Sequence, residues 1–317
     1  MRQGVKSQDS KIEISASWEK LGKIISPDES IYWMSTCTGS SYAMQIDDSS
    51  LFDIYVTGRD KYNRSLIGRI RIDINNPTKL LETTLNPVLS FGEIGAFDEN
   101  GVSYPYLVKR NNKVFMYYTG WMPTVLTPFQ NQIGLAEQNL DGSFKRVSRA
   151  PILERNNDDY LSCGSCCVLV ENNLWKMWYT SFTSWEKTQT GVKHYYLIKY
   201  AESLDGINWK RNNHICINFE TENEYAIARP TVYKRGNEYH MWYCYKGNSY
   251  RIGYAVSNDG LNWIRKDHTV GIEPSKEGWD SKEQCYPQVF QHNHFLYMLY
   301  CGNNYGKDGL GLARLEL

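Results

Sequence analysis

The chain has 317 residues and equal numbers of basic and acidic side chains, 35 Lys and Arg against 35 Asp and Glu. A formal net charge of zero gives no bulk attraction to nucleic acid or to an anionic membrane, so neither is expected as a partner. Hydrophobic residues at 41% provide enough apolar surface for a core and exclude a disordered chain. The 14% aromatic residues suit a carbohydrate partner, and they equally suit β-strands, where Tyr and Trp are favoured.

The N-terminus indicates the cellular location of the protein, and the cysteines and sequence motifs indicate whether it binds a metal or a cofactor. Residues 1–10 contain no apolar signal-peptide core, and no run approaches the ~20 apolar residues that span a membrane, so we expect a cytoplasmic protein without membrane insertion. Cys163, Cys166 and Cys167 cluster, but without a second suitably spaced Cys or His pair, which favours buried free thiols over a metal site. Phosphate-loop, dinucleotide-binding and zinc-protease motifs are missing, so no metal or cofactor is expected.

Internal repeats predict the fold. Residues 133–146, 198–211 and 252–265 each have the pattern of a short strand, an Asp-Gly turn and a second strand, and weaker copies occur at 67–73 and 310–317. Two further strand motifs recur in step, five times each and roughly 60 residues apart. One motif is at 54–58, 116–120, 177–181, 241–245 and 298–302; the other is at 42–46, 104–108, 165–169, 229–233 and 286–290. Four antiparallel strands repeated five times predict an all-β five-bladed β-propeller.

The two chain ends predict how the ring closes. The last repeat stops after its third strand, and residues 17–25 resemble the fourth strands that begin at Trp209 and Trp263, with Trp18 in the equivalent place. We therefore predict one domain over residues 1–317, with residues 12–25 completing the last blade against residues 310–317, which removes a free sheet edge. A solenoid is the alternative, and it leaves both the truncated last repeat and the isolated first strand unexplained.

Two sets of loops are expected to surround one end of the central channel. The first set leads into the innermost strands, at 27–41, 86–103, 151–164, 213–228 and 268–285. The second set joins the second and third strands, at 58–66, 120–132, 181–197, 246–251 and 302–309.

The turns and repeats resemble known families. The Ser-x-Asp-Gly-x-x-Trp copies at 203–209 and 257–263 resemble the Asp-box turn of sialidases, which implies turn roles for Asp205 and Asp259. The whole pattern resembles the five-bladed-propeller glycoside hydrolases of the arabinanase/β-xylosidase and invertase/levansucrase type. Residues 228–232, 250–255, 278–281 and 302–306 resemble uncharacterised glycosidase-like proteins encoded with bacterial surface-polysaccharide genes.

This resemblance implies carboxylates at the channel mouth that donate a proton and activate the attacking group. The chain departs from the family at the start of its innermost strands, where acids are usual and Tyr42, Tyr104, Ser165, Arg229 and Tyr286 stand instead. Asp98, Glu224 and Asp280 lie five or six residues before such positions and are the predicted catalytic residues. Other loop acids are alternatives, namely Glu99, Asp158, Asp159, Glu220, Glu222 and Glu283.

Basic and aromatic residues near the mouth are predicted to bind substrate. Arg229, fixed by the following Pro230, offers a fork for a carboxylate or phosphate, and Arg251 can join it. Tyr104 and Tyr286 are expected to line the same ring, and the long loops supply two aromatic platforms for sugars, Trp121 and Trp185. His194 is a further candidate for proton transfer. Each also fits a purely structural role in loop packing.

The predicted function is a glycosidase-like enzyme that acts on a glycosidic bond or an activated sugar in surface-glycan metabolism. The alternative is a non-catalytic propeller that binds a carbohydrate or a nucleotide sugar, and a third hypothesis is a protein-interaction propeller. Two mouth carboxyl groups within ~5–10 Å favour hydrolysis. A mouth of Arg, Tyr and Trp without such a pair favours binding, and a broad apolar face favours a protein partner.

Overall fold

The computed structural model describes residues 17–317, which form twenty β-strands with very little helix. Two 3-10 turns occur, at Tyr32–Met34 and Asp267–Thr269, and one helical turn occurs at Asn303–Gly306. Within the units, strands that follow one another in the chain pair antiparallel, and many of these pairs are joined by a short turn of the kind that Asp-Gly and Asn residues favour. The result is five antiparallel units of four strands each.

The first two units use residues 37–146. Unit 1 contains β2 (Cys37–Gln45), β3 (Leu51–Arg59), β4 (Ser65–Asp73) and β5 (Leu80–Thr83). Unit 2 contains β6 (Gly101–Arg110), β7 (Lys113–Met122), β8 (Gln130–Gln138) and β9 (Phe144–Arg146). One parallel pair, Ser65 with Gly101, joins the two units into a continuous sheet.

The next two units follow the same plan. Unit 3 contains β10 (Cys163–Glu171), β11 (Leu174–Thr188), β12 (Gly191–Ser203) and β13 (Lys210–Ile217). Unit 4 contains β14 (Ala226–Arg235), β15 (Glu238–Lys246), β16 (Tyr250–Ser257) and β17 (Ile264–Arg265). A parallel pair, Tyr196 with Ala226, joins them.

Unit 5 is built from both ends of the described chain. It contains β18 (Cys285–His292), β19 (Phe295–Cys301), β20 (Leu310–Glu316) and, as its outer strand, β1 (Glu19–Ile25). Strand β1 runs antiparallel to β20, with Glu19 opposite Arg314 and Ile25 opposite Leu310. Residues 12–16 of the predicted closing segment lie outside the described residues.

Three tryptophans on the outer strands occupy equivalent places. Trp209 packs edge-on against Tyr117 of unit 2, and Trp263 packs edge-on against Trp178 of unit 3. Trp18 does the same against Trp242 of unit 4, with ring centroids 6.0 Å apart. The tryptophans of units 3, 4 and 5 therefore fix each of these units to the preceding one, and the N-terminal segment supplies the tryptophan of unit 5.

The first strands of the units contact one another in cyclic order, β2 to β6, β6 to β10, β10 to β14, β14 to β18 and β18 back to β2. Each of these strands has an irregular register near its start, which gives it a bulge. At three bulges the residue before a proline has a left-handed backbone, with φ of 54° at Tyr104 and 56° at Arg229 and Tyr286. This conformation costs about 1–3 kcal/mol at a non-glycine residue.

The Asp-Gly turns are held by local hydrogen bonds. Asp205 accepts the backbone N–H groups of Ile207 and Asn208, and these donors hold the pKa of its carboxyl well below the usual range. Asp259 makes the equivalent bonds in unit 4. Both residues therefore serve their turns, as the sequence predicts.

All eight cysteines are buried free thiols, and for Cys163, Cys166 and Cys167 this confirms the prediction. Across residues 17–317, no three His, Cys, Asp or Glu side chains approach closely enough to hold a metal ion. The same residues include no helix with the length and apolar composition of a membrane span.

Candidate functional site

Residues from all five units meet at one cavity of about 600 Å³, which we call the pit. Its floor comes from the first strands, through Ser103, Tyr104, Ser165, Ala228 and Tyr286. Its walls come mainly from the loops between second and third strands and from the ends of those strands. These wall residues include Arg59, Asn63, Trp121, Phe129, Lys193, His194, Lys246, Tyr250 and Tyr305. A side cavity of about 500 Å³ shares Arg59, Tyr104, Tyr286 and Tyr305 with the pit.

One wall is a long β-hairpin. Strands β11 and β12 have 15 and 13 residues, longer than any other strand described, and their ends project Phe182 and His194 to the pit. His194 stacks on Tyr196 with ring centroids 5.1 Å apart, and Phe129 packs edge-on against Phe182. Burial lowers the pKa of His194 to about 4, so its imidazole is neutral at physiological pH.

Three half-buried cations line the pit, Arg59, Lys193 and Lys246. In the described part of the chain none of the three forms a salt bridge. Arg59 donates to the carbonyl of Asn63 at 2.9 Å and lies over the Trp121 ring at 5.2 Å. The positive charge of the pit is therefore available to a ligand.

Tyrosines occupy the floor and part of the walls. Tyr104 and Tyr286 pack edge-on with centroids 5.2 Å apart, and the hydroxyls of Tyr196 and Tyr250 hydrogen bond to each other. Burial raises the pKa of these phenols, so they remain protonated at any physiological pH. Beside them, the Lys246 ammonium donates to the Tyr305 hydroxyl at 2.5 Å.

Carboxylates are missing from the pit lining within residues 17–317. Asp60 lines the side cavity, but both of its oxygens are already engaged. Oδ1 accepts the backbone N–H groups of Tyr62 and Arg64, and Oδ2 accepts the Arg64 guanidinium at 2.8 Å. Asp60 is thus committed to its turn.

The three predicted catalytic acids do not line the pit and are not brought together. Asp98 is 1% exposed and accepts the Tyr118 hydroxyl at 3.1 Å and Arg146 Nε at 2.8 Å. Asp280 is 1% exposed and accepts Lys20 Nζ at 2.7 Å and the Tyr300 hydroxyl at 3.0 Å. Their catalytic role stays a prediction that this placement does not support.

Glu224 is held in the same way. It is buried and makes two hydrogen bonds with the Arg265 guanidinium, at 2.8 and 3.0 Å. Unit 3 has the equivalent arrangement around Asp159, which accepts the hydroxyl of Tyr179 and the cations of Lys199 and Arg211. In units 2, 3 and 5 the recurring acid therefore ties the loop before the first strand to the second and outer strands, and in unit 4 it ties that loop to the outer strand.

The predicted binding residues divide into two groups. Tyr104, Tyr286 and Trp121 line the pit, and Trp185 stands behind it, stacked on Phe182 at 5.5 Å. Arg251 does not line the pit, because its guanidinium donates to the carbonyls of Tyr250 and Lys282.

The prediction that the Arg229 fork faces the ligand needs correction. Arg229 is fully buried, and its guanidinium donates to the carbonyls of Ser41, Tyr104 and Pro105 at 2.7, 3.4 and 2.9 Å. Burial lowers the pKa of this guanidinium. It links unit 4 to units 1 and 2 and does not line the pit.

The sequence analysis did not single out Arg59, Lys193, Lys246, Tyr196, Tyr250 and Tyr305. All six residues lie within the ranges predicted for the second set of loops, some of them at strand ends inside those ranges. One sequence signal could have identified two of them, because Arg59 and Lys246 end equivalent second strands, β3 and β15.

The fold is that of glycoside-hydrolase-type, propeller-like proteins. A solved structure described as a glycoside hydrolase is similar with a TM-score of 0.75 at 18% identity, covering 98% of this chain and 96% of that chain. A solved structure from the GH130 family of mannoside phosphorylases and hydrolases has a TM-score of 0.71 at 15% identity, covering 94% and 93%. At these identities the likeness establishes the fold alone.

The chain belongs to the family of the uncharacterized protein Rv1502 of Mycobacterium tuberculosis. The two are 35% identical over 300 residues, which cover 95% of this chain and 99% of that protein. A 1,2-beta-oligomannan phosphorylase of Thermoanaerobacter sp. is 29% identical over 141 residues, covering 42% of this chain and 47% of the phosphorylase. No protein-family model matches the chain.

Proposed function

We propose that the protein is a glycosidase-like sugar-processing enzyme, built as a single five-bladed propeller, that cleaves or forms a glycosidic bond with a phosphate group held in the pit. The single observation that carries this proposal is the pit lining, which combines three unpaired cations with aromatic rings and includes no described carboxylate. A role in surface-glycan metabolism and a cytoplasmic location stay predictions from the sequence.

The charge of the pit favours an anionic ligand. Arg59, Lys193 and Lys246 have no carboxylate partner among residues 17–317, so a phosphate group can replace their water with charge-assisted hydrogen bonds. Trp121 lies beside Arg59 and offers a ring face on which the C–H face of a sugar can stack. A neutral sugar would leave all three positive charges uncompensated.

Phosphorolysis also accounts for the missing acid pair. Hydrolysis uses one carboxyl group to protonate the leaving oxygen and a second to activate water or attack the sugar. Phosphate is already an anionic nucleophile, so a phosphorylase does not need the second group. The partial relative from Thermoanaerobacter sp. is described as a 1,2-beta-oligomannan phosphorylase, which supports this reading of the pit.

The second candidate is a non-catalytic propeller that binds a sugar phosphate or a nucleotide sugar. The same cations fit a diphosphate, and the lack of pit carboxylates within residues 17–317 favours this candidate equally. The two candidates differ in turnover and not in binding.

The test is to incubate the protein with β-1,2-mannobiose and inorganic phosphate and to measure mannose 1-phosphate. Phosphate-dependent release supports the enzyme. Binding of mannose 1-phosphate by calorimetry without any release identifies the binding protein. A result in which the protein neither binds mannose 1-phosphate nor releases it would contradict the proposal.

A further inference from the structure

Cleavage of a glycosidic bond needs a proton donor near the leaving oxygen, and the pit supplies few candidates. The described lining has no carboxylic acid, and its histidine, His194, has a pKa lowered by burial to about 4, so its ring is neutral at pH 7 and is not an imidazolium acid. The remaining proton-bearing groups are lysines and tyrosines.

Most pit tyrosines are already satisfied or enclosed. The hydroxyls of Tyr196 and Tyr250 bond to each other, and Tyr104 and Tyr286 are packed together on the floor. Tyr305 differs because its side chain is accessible, with 43% of the residue exposed, at the junction of the pit and the side cavity.

The bond to Lys246 fixes the direction of the Tyr305 hydroxyl. An ammonium group has donors and no acceptor, so Lys246 Nζ must donate to the phenol oxygen across the 2.5 Å contact. The phenol hydrogen is then free to be donated to a third group. The same ammonium lies over the Tyr250 and Tyr305 rings at 5.0 and 4.9 Å, which keeps it in place.

The backbone at Tyr305 is strained in a way that places this hydroxyl. Asn304 and Tyr305 both have left-handed backbones, with φ of 57° and 60°, which is unfavourable for a tyrosine. Neighbouring contacts hold the strain: the Tyr305 N–H donates to Glu283 Oε1 at 3.1 Å, and Thr38 Oγ1 donates to the Gly306 carbonyl at 3.3 Å.

We propose that Tyr305 is the proton donor to the leaving oxygen and that Lys246 stabilises the phenolate that forms, a role that rests on the proposed function. A phosphate oxygen bonds to the anomeric carbon, the glycosidic C–O bond breaks, and the phenolic proton passes to the leaving oxygen. The phenolate then takes the proton that remains on the phosphate group of the new sugar phosphate. The sum is hydrogen phosphate plus glycoside giving sugar phosphate plus alcohol.

The test compares two donors in the presence of phosphate. β-1,2-Mannobiose has a poor leaving group that needs protonation, whereas 2,4-dinitrophenyl β-mannoside has a good one that does not. For Tyr305→Phe we expect kcat on mannobiose to fall by about 100-fold or more, with little change on the dinitrophenyl donor. Lys246→Met should show the same donor dependence to a smaller extent, and Lys246→Arg should restore most of the rate.

Two further variants separate the outcomes. Tyr62→Phe is the matched control, since Tyr62 is exposed beside Lys61 and does not line the pit, and its rates should be those of the wild type. Donor-dependent loss in Asp60→Asn instead of Tyr305→Phe would assign the proton to Asp60. Equal loss on both donors, or no loss, overturns the Tyr305 assignment alone. No turnover of either donor by the wild type contradicts the proposed enzyme and the assignment together.

Discussion

The loops before the first strands and the walls of the pit use the same kinds of residue in opposite ways. In the loops, Asp98, Asp159 and Asp280 are almost fully buried, and each is matched by a tyrosine and a cation. In the pit, Arg59 and Lys246 have no carboxylate partner in the described chain. We infer that the paired charges stabilise the units, whereas the unpaired charges are available to bind a ligand.

The largest expected effect is on stability at the buried acid of unit 3. Asp159→Ala leaves Lys199 and Arg211 buried without their counter-charge, which should lower the free energy of unfolding by about 3–5 kcal/mol. Urea denaturation measures it. The adjacent, exposed Asp158 is the control, and Asp158→Ala should change stability by less than about 0.5 kcal/mol. Similar losses for both would remove the structural role of the buried acid.

Arg229→Met tests whether this arginine stabilises the fold or binds the ligand. The three carbonyls that it bonds beneath the floor would lose their donor, so unfolding should become easier by about 1–3 kcal/mol. Affinity for inorganic phosphate should not change, because Arg229 does not line the pit. Arg235→Met, on the exposed end of the same strand, is the matched control. Loss of phosphate affinity without loss of stability would return Arg229 to the binding site.

Arg59→Met should give the reverse result. Removing one charge-assisted contact should weaken phosphate binding about tenfold, or about 1.4 kcal/mol, with stability nearly unchanged. Isothermal titration with inorganic phosphate measures the effect. Lys109→Met, an exposed cation on β6 away from the pit, should bind like the wild type. Equal weakening in both variants would mean that phosphate responds to net charge and not to the pit.

The smallest effect is a pH dependence from a paired acid outside the pit. Burial alone raises the pKa of Glu171, but hydrogen bonds from Lys176, Lys234 and Tyr239 outweigh it and lower this pKa from 4.5 to about 2. A lowered folded-state pKa contributes stability above pH 4.5 that is lost as the pH falls toward 2. Glu171→Gln should therefore flatten the stability curve between about pH 5 and pH 2. An unchanged slope in thermal unfolding would contradict it.

The units could be predicted from the sequence because their determinants are local. The Asp-Gly turn at 205–206 and the equivalent turn at 259–260 fix hairpins through bonds within a few residues. The pairing of β1 with β20 was also predictable, since a missing strand at one end matched an extra strand at the other.

The site could be predicted only in part, because its partners are distant in the chain. The common offset of Asp98 and Asp280 before a first strand was real, but the cations that engage them lie 48 and 260 residues away. Each of these acids precedes its tyrosine partner by twenty residues, a spacing that could have indicated a structural role. Arg59 and Lys246 resemble any strand-end cation until the units close around the pit.

A titration with mannose 1-phosphate and with mannose tests the central claim most directly. The account predicts that mannose 1-phosphate binds far more tightly and that its affinity falls as ionic strength rises, since the pit cations meet the phosphate. Equal affinity for the two sugars, or affinity for mannose 1-phosphate that is independent of salt, would contradict it.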